Sequence, residues 1–139
     1  KNPTKKKTPK QKAKDEADKW FSLFIRLSGA DWRGYVECYT CKKVFHYKKI
    51  QNGHFISRSS SRLRYSEDNC RPQCVGCNMF KHGNYIKYTR RMIKENGSDF
   101  VDNLIEMGKE LHQFTLEELI EIGRTYKQKV LAMPNYESG

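Results

Sequence analysis

The sequence predicts an α+β protein in which a cysteine-bearing centre of short strands sits between amphipathic helices. Three observations predict it. Four of the five cysteines fall as Cys38-x2-Cys41 and Cys74-x2-Cys77, with 32 residues between the pairs. Short β-type runs, YVECYT, KVFHY and GHFIS, occupy the stretch from Tyr35 to Ser57. On either side of this centre, apolar residues recur at three- and four-residue steps. A chain of 139 residues has room for one composite domain with a modest core.

Taken in order, residues 1–14 carry seven lysines, two prolines and no acid, and read as a flexible basic arm. Residues 15–37 form an amphipathic helix and a connector: Ala17, Trp20, Phe21, Phe24 and Leu27 mark the apolar face, and SGAD ends the helix. Residues 38–96 are the cysteine module, closing in a helix from about Tyr85 to Lys94. Residues 97–139 are a helical region. Its first helix is expected to start at Ser98 as N-cap, with Phe100, Val101, Leu104, Ile105 and Leu111 on one face. Its second starts with a capping box, Thr115 and Glu118, ahead of Leu116, Leu119, Ile120 and Ile122. These helices are expected to pack on the first one.

A C-x2-C turn places two sulfurs on one side of a tight loop, and two such turns supply the tetrahedral thiolate set that zinc prefers. Cys38, Cys41, Cys74 and Cys77 are therefore expected to hold one structural zinc. Such a site contributes on the order of 10 kcal/mol of folding free energy. A disulfide framework or a redox pair explains two such turns less well. With all four positions filled the zinc leaves no coordination site for catalysis, so chemistry must come from other residues. Cys70 reads as a small buried apolar residue, and His46 as an exposed strand residue.

The formal charge is +11, and it is segregated. Residues 1–14 contribute +7 and residues 38–96 contribute +10, while 15–37 and 97–139 are net acidic. Two basic blocks beside acidic helices are the footprint of a polyanion partner, most economically nucleic acid. Arg58, Arg62 and Arg64 are interleaved with serines, a composition suited to phosphate oxygens, and Lys81, Lys87, Arg90 and Arg91 extend the basic face. No recognition helix is evident, so backbone contact is expected rather than base readout. There is no run of eighteen apolar residues and no secretory signal, and a cytoplasmic site of action is expected.

The stretches GHFISR, LRYSEDNCRPQCVGCN and HGNYIKY resemble the NinG/Rap family of lambdoid phage recombination proteins, closely over residues 38–96 and loosely over the following helices. The resemblance implies a zinc-stapled ββα-metal (HNH) endonuclease fold, acting in the bacterial host on branched DNA such as Holliday junctions and D-loops, beside phage or host recombination proteins. It implies that His54 is the general base, that Asn69 orients it through the backbone, and that Asn78 ligates a catalytic magnesium or manganese. Arg64 matches the family's LR and is the expected phosphate clamp. The helical tail after Gly97 is the candidate surface for a homodimer. The chain departs from the usual HNH pattern at Gly53, where an aspartate or histidine ligand ordinarily precedes the base. Glu67, Asp68 and His82 are spare candidates for that ligand. The same departure keeps open a non-catalytic DNA-binding accessory, and a less selective nicking enzyme is a third alternative.

Overall fold

The structure is a computed structural model that describes residues 6–138. Helix α1 spans Pro9–Ser28 and so begins six residues before the helix expected from residue 15. Its start is locally encoded: Thr8 accepts the Gln11 N–H at 3.1 Å and Pro9 occupies the first turn, where a missing N–H costs nothing. Asp15 then accepts from Gln11 Nε2 at 2.9 Å and pairs with Lys7. The expectation of a flexible arm is corrected for residues 9–14, because lysine is a good helix former once a cap starts the helix. Residues 1–5 of that arm lie outside the described residues. The buried face of α1 carries Ala17, Trp20, Phe21, Ile25 and Leu27.

Two antiparallel hairpins follow. Strands β1 (Tyr35–Glu37) and β2 (Val44–His46) flank the loop bearing Cys38 and Cys41, with Val36 opposite Phe45. Strands β3 (Gln51–His54) and β4 (Cys70–Gln73) pair with His54 opposite Cys70 and Gly53 opposite Arg71. β1 and β2 fall inside the β-type runs of the sequence, whereas β3 starts two residues before GHFIS and ends at its second residue. β4 lies outside these runs, because Pro72 and Arg71 disguise it; a two-stranded sheet consists only of edges, where proline is tolerated. The Pro72 carbonyl accepts Tyr39 N–H at 2.8 Å and ties the two hairpins together. After β4 comes a wide π-type turn, Gly76–Phe80, holding Cys77 and Asn78.

Helix α2 (Tyr85–Asn96) meets α3 (Ser98–Met107) at Gly97, whose φ of +91° suits glycine and makes Gly97, not Ser98, the residue flanking α3. Leu111 lies beyond α3 and is exposed, and Ile105 and Ile120 also face outward. Helix α4 (Leu116–Leu131) carries the expected capping box and packs along α1. The expectation that α2 and α3 also pack on α1 is corrected: they pack on each other around Tyr39, Phe55, Leu63, Tyr88, Met92, Val101 and Leu104. A second cluster, with Trp20, Leu27, Val36, Tyr47, Ile50 and Val130, joins α1 and α4 to the cysteine centre. No helix of the described residues is long and apolar enough to cross a membrane.

Candidate metal centre and adjoining cleft

The Sγ atoms of Cys38, Cys41, Cys74 and Cys77 all lie within 4.8 Å of one another. Cys41 and Cys74 are 3.8 Å apart, matching the edge of about 3.8 Å for a tetrahedron with zinc–sulfur bonds of about 2.3 Å. Donors already face the sulfurs: Cys74 N–H to Cys38 at 3.3 Å, Cys77 N–H to Cys74 at 3.4 Å, and Asn84 Nδ2 to Cys77 at 3.5 Å. Burial raises the Cys38 thiol, but the Cys41 and Cys74 N–H groups outweigh it and bring it down to about 6. Burial pushes the Cys41 and Cys74 thiols up, Cys74 to about 12. Four thiolates this close would repel, and a divalent cation would let them coexist; four sulfurs in a tetrahedron suit zinc. Cys70 is buried apart from this group, and burial raises its thiol strongly. His46, expected as an exposed strand residue, is half-buried and accepts Lys48 N–H through Nδ1 at 3.2 Å.

Beside this centre lies a cleft of about 830 Å³ lined by His54, Arg58, Arg64, Asn78 and His82 together with Asp18, Gln51, Asn52 and Tyr85. His54 ends β3, and its Nε2 stands 3.0 Å from the Arg64 carbonyl oxygen. A carbonyl only accepts, so Nε2 carries the proton and Nδ1 is the basic nitrogen. Burial holds the His54 pKa below its ordinary 6.5, aided by the charges of Arg58 and Arg64 and opposed by the Arg64 carbonyl and by Asp18. Asn69 is fully buried. Its amide brackets Ile56, accepting the Ile56 N–H at 2.8 Å and donating to the Ile56 carbonyl at 2.9 Å, while its own carbonyl accepts Phe55 N–H at 2.8 Å. The chain leaving His54 is thereby clamped to the chain entering β4.

Arg64 is held from outside the cysteine module. Asp18 of α1 accepts its Nε at 2.9 Å and one terminal nitrogen at 2.6 Å, and also accepts the Tyr65 hydroxyl at 2.8 Å. Much of the guanidinium expected to clamp phosphate is thus committed to an acid, and Nη1 alone has no partner among the described residues. Asp18 was not foreseen: one acid on the polar face of an amphipathic helix carries no signal of its own.

Gly53 has a packing cause. A Cβ there would lie 2.1 Å from Gln73 Oε1. Gln73 is fully buried, and its Nε2 reaches Thr40 at 3.1 Å and the Gly83 carbonyl at 2.8 Å, bridging the two cysteine loops. Strand alternation puts position 53 on the opposite face from His54. The glycine makes room for that bridge. Asn78, on the wide turn after Cys77, donates Nδ2 to Gln51 Oε1 at 2.8 Å, which leaves its Oδ1 as a ligand atom. Gln51 and Gln73 were likewise unreadable from sequence, since glutamines one strand-width apart show no spacing pattern. Of the spare acids, Glu67 is taken by Tyr126 at 2.7 Å and Lys129 at 3.8 Å, and neither Glu67 nor Asp68 lines the cleft.

The predicted cations divide. Arg58 joins the cleft, whereas Lys87, Arg90 and Arg91 border a second groove of about 610 Å³ near Tyr39. Arg91 is engaged by Glu37 at 3.2 Å, Glu95 at 2.9 Å and the Tyr39 carbonyl at 2.8 Å. Arg62 lies 3.9 Å from Glu110 and lines neither groove. Lys81, Lys87 and Arg90 are exposed and form no ion pair among the described residues.

Fold and site together define an α+β protein with four clustered cysteines that could hold a structural metal ion and an adjoining histidine- and asparagine-lined cleft. Comparison with known proteins narrows this class. The chain belongs to the NinG family: the family described as bacteriophage lambda NinG protein matches residues 1–137, a span that includes α1. It is 36% identical over 123 residues to protein ninG of Escherichia phage lambda, covering 88% of this chain and 58% of that protein. Protein ninG of Escherichia phage 933W is also 36% identical over 123 residues, with 59% of its length covered, and that of Salmonella phage P22 is 37% identical over 115 residues, with 54% covered. The chain thus spans less than two thirds of the length of these relatives. No solved structure matches it.

Proposed function

We propose that this chain is a metal-dependent endonuclease that cuts branched DNA during phage recombination, with a ββα-metal core formed by β3, β4 and the turn after Cys77. The observation that carries the reading is the His54–Arg64 contact, which makes Nδ1 the basic nitrogen of an imidazole held in a cleft beside Asn78. A phosphodiester resists attack because its anionic oxygens repel nucleophiles and its alkoxide leaves poorly. His54 Nδ1 takes the proton of the attacking water; its low pKa keeps it neutral and ready at physiological pH. Asn69 and the Asp18–Arg64 pair hold the ring in place. The Asn78 amide oxygen, aimed by Gln51, suits a hard, largely hydrated magnesium or manganese ion, which when bound supplies positive charge for the leaving 3′ oxygen. Arg58 and the free end of Arg64 contact the phosphate. The ends produced are 5′ phosphate and 3′ hydroxyl.

Gly53 does not argue against catalysis, because Gln73 accounts for it. The deciding experiment is a gel assay of a labelled four-way junction and a linear duplex, with and without magnesium or manganese, beside His54→Ala. The expected result is metal-dependent cutting of the junction that falls by at least about 100-fold in the variant. Tight binding with no product under either metal would replace this reading with that of a binding accessory.

A further inference from the structure

Between the candidate metal ligand Asn78 and the first turns of α2, the chain holds apolar side chains out in solvent. Met79 is 57% exposed, Phe80 79%, Tyr85 49% and Ile86 71%. These positions are not slack. The turn beneath Met79 and Phe80 is pinned by Asn78 N–H to the Cys74 carbonyl at 2.8 Å, Lys81 N–H to the Gly76 carbonyl at 3.0 Å and Gly83 N–H to the Cys77 carbonyl at 2.9 Å. Tyr85 is stacked on Phe55, with ring centroids 5.1 Å apart. Met79 and Tyr85 line the same cleft as His54 and Asn78. Each apolar pair runs directly into a lysine, Met79-Phe80-Lys81 and Tyr85-Ile86-Lys87, and neither lysine forms an ion pair among the described residues.

Rigid apolar groups interleaved with free cations suit a ligand whose own apolar faces alternate with anions. A nucleotide strand is such a ligand, its bases stacking on apolar and aromatic groups and its phosphates meeting cations. A protein partner fits less well, because lysine is depleted from interface cores. In paired duplex the base faces are hidden by stacking, and a branch point exposes them. We propose that Met79, Phe80, Tyr85 and Ile86 form a lip that receives unstacked bases at a DNA branch, with Phe80 as the stacking residue and Lys81 on the flanking phosphate. This rests on the DNA reading above and adds how a branch is told from a continuous duplex.

The test measures binding with the His54→Ala protein, using a four-way junction carrying 2-aminopurine at the branch point and a linear duplex of matched sequence. Adding the protein should change 2-aminopurine fluorescence at the branch. Phe80→Ala on this background should lower junction affinity by about tenfold, a factor within the range of one lost base stack. It should abolish the fluorescence change and leave duplex affinity unaltered, whereas Phe80→Trp should retain both the affinity and the signal. Ile86→Ala should shift the preference in the same direction by a smaller factor. Equal weakening on junction and duplex, or no change on either, would overturn the proposal. So would a change in sedimentation without a change in junction preference, which would make the lip a surface between copies of the chain. Since cutting is not read, a protein that prefers junctions through Phe80 but never cleaves defeats only the nuclease reading, and one that cleaves but keeps its preference in Phe80→Ala defeats only this one.

Discussion

Around the four cysteines the backbone runs in strands of three and four residues and a five-residue turn, whereas α1 and α4 are helices of 20 and 16 residues packed side by side. In the helix pair, order follows from burying Ala17, Trp20, Leu119 and Val130. In the cysteine centre there is little regular structure to cooperate, and sulfurs and buried amides converge on points instead. Gln73 bridges the two cysteine loops, and Asn69 clamps the segment after His54. The two regions meet where Asp18 of α1 grips Arg64, whose carbonyl faces His54. The comparison teaches that the cleft is not a property of the cysteine module alone: one wall of it, and the grip on its histidine, come from the helical shell.

Breaking the centre should have the largest effect. Cys74→Ser removes one of four sulfur ligands, and a structural zinc site contributes on the order of 10 kcal/mol. The expected outcome is a chain that no longer holds one zinc after dialysis and loses its cooperative thermal transition. Leu119→Ala, in the helix pair, should cost about 2–5 kcal/mol and lower the melting temperature while one zinc per chain is retained. Equal loss of metal in both variants would show that the two regions fold as one unit.

The junction between the regions can be tested through Asp18→Asn, which keeps the shape and removes the charge. Losing a charge-assisted grip on a largely buried arginine should cost about 1.5–3 kcal/mol. Because Asp18 holds His54 in place through Arg64 and is not itself expected to contact DNA, kcat for junction cleavage should fall while KM for DNA changes little. A variant with wild-type kcat and reduced stability would make Asp18 a purely structural residue.

What the sequence disclosed divides along the same line. The cysteine spacing, the capping box at Thr115 and the apolar face of α1 are patterns within one segment, so each could be read directly. The early start of α1 is equally local, signalled by Thr8 and Pro9, but seven lysines in the first fourteen residues fit a flexible basic arm just as well. β4 and the contacts of Asp18, Gln51 and Gln73 were hidden for a different reason. Each depends on a residue distant in sequence, Asp18 on Arg64 and Gln73 on Thr40, and one polar side chain does not announce a remote partner. Gly53 was read as a missing ligand because Gln73, the residue that requires a glycine there, lies twenty positions away.

The smallest expected effect lies in the pH dependence, and its sign follows from the site. Neutral His54 is the working base, and its folded-state pKa lies below 6.5 because burial and two arginines disfavour the imidazolium. The kcat for junction cleavage should therefore be flat near neutrality and fall only as the pH drops through that lowered pKa, giving an acid limb with its midpoint under 6.5. Arg58 disfavours the protonated ring, so Arg58→Ala should move the limb to higher pH. Asp18 favours the protonated ring, so Asp18→Asn should move it lower. Opposite shifts from a residue on the loop after β3 and a residue on α1 would locate the titrating group between the two regions, at His54. A limb that stays in place in both variants would belong to another group, and the general base would have to be sought elsewhere in the cleft.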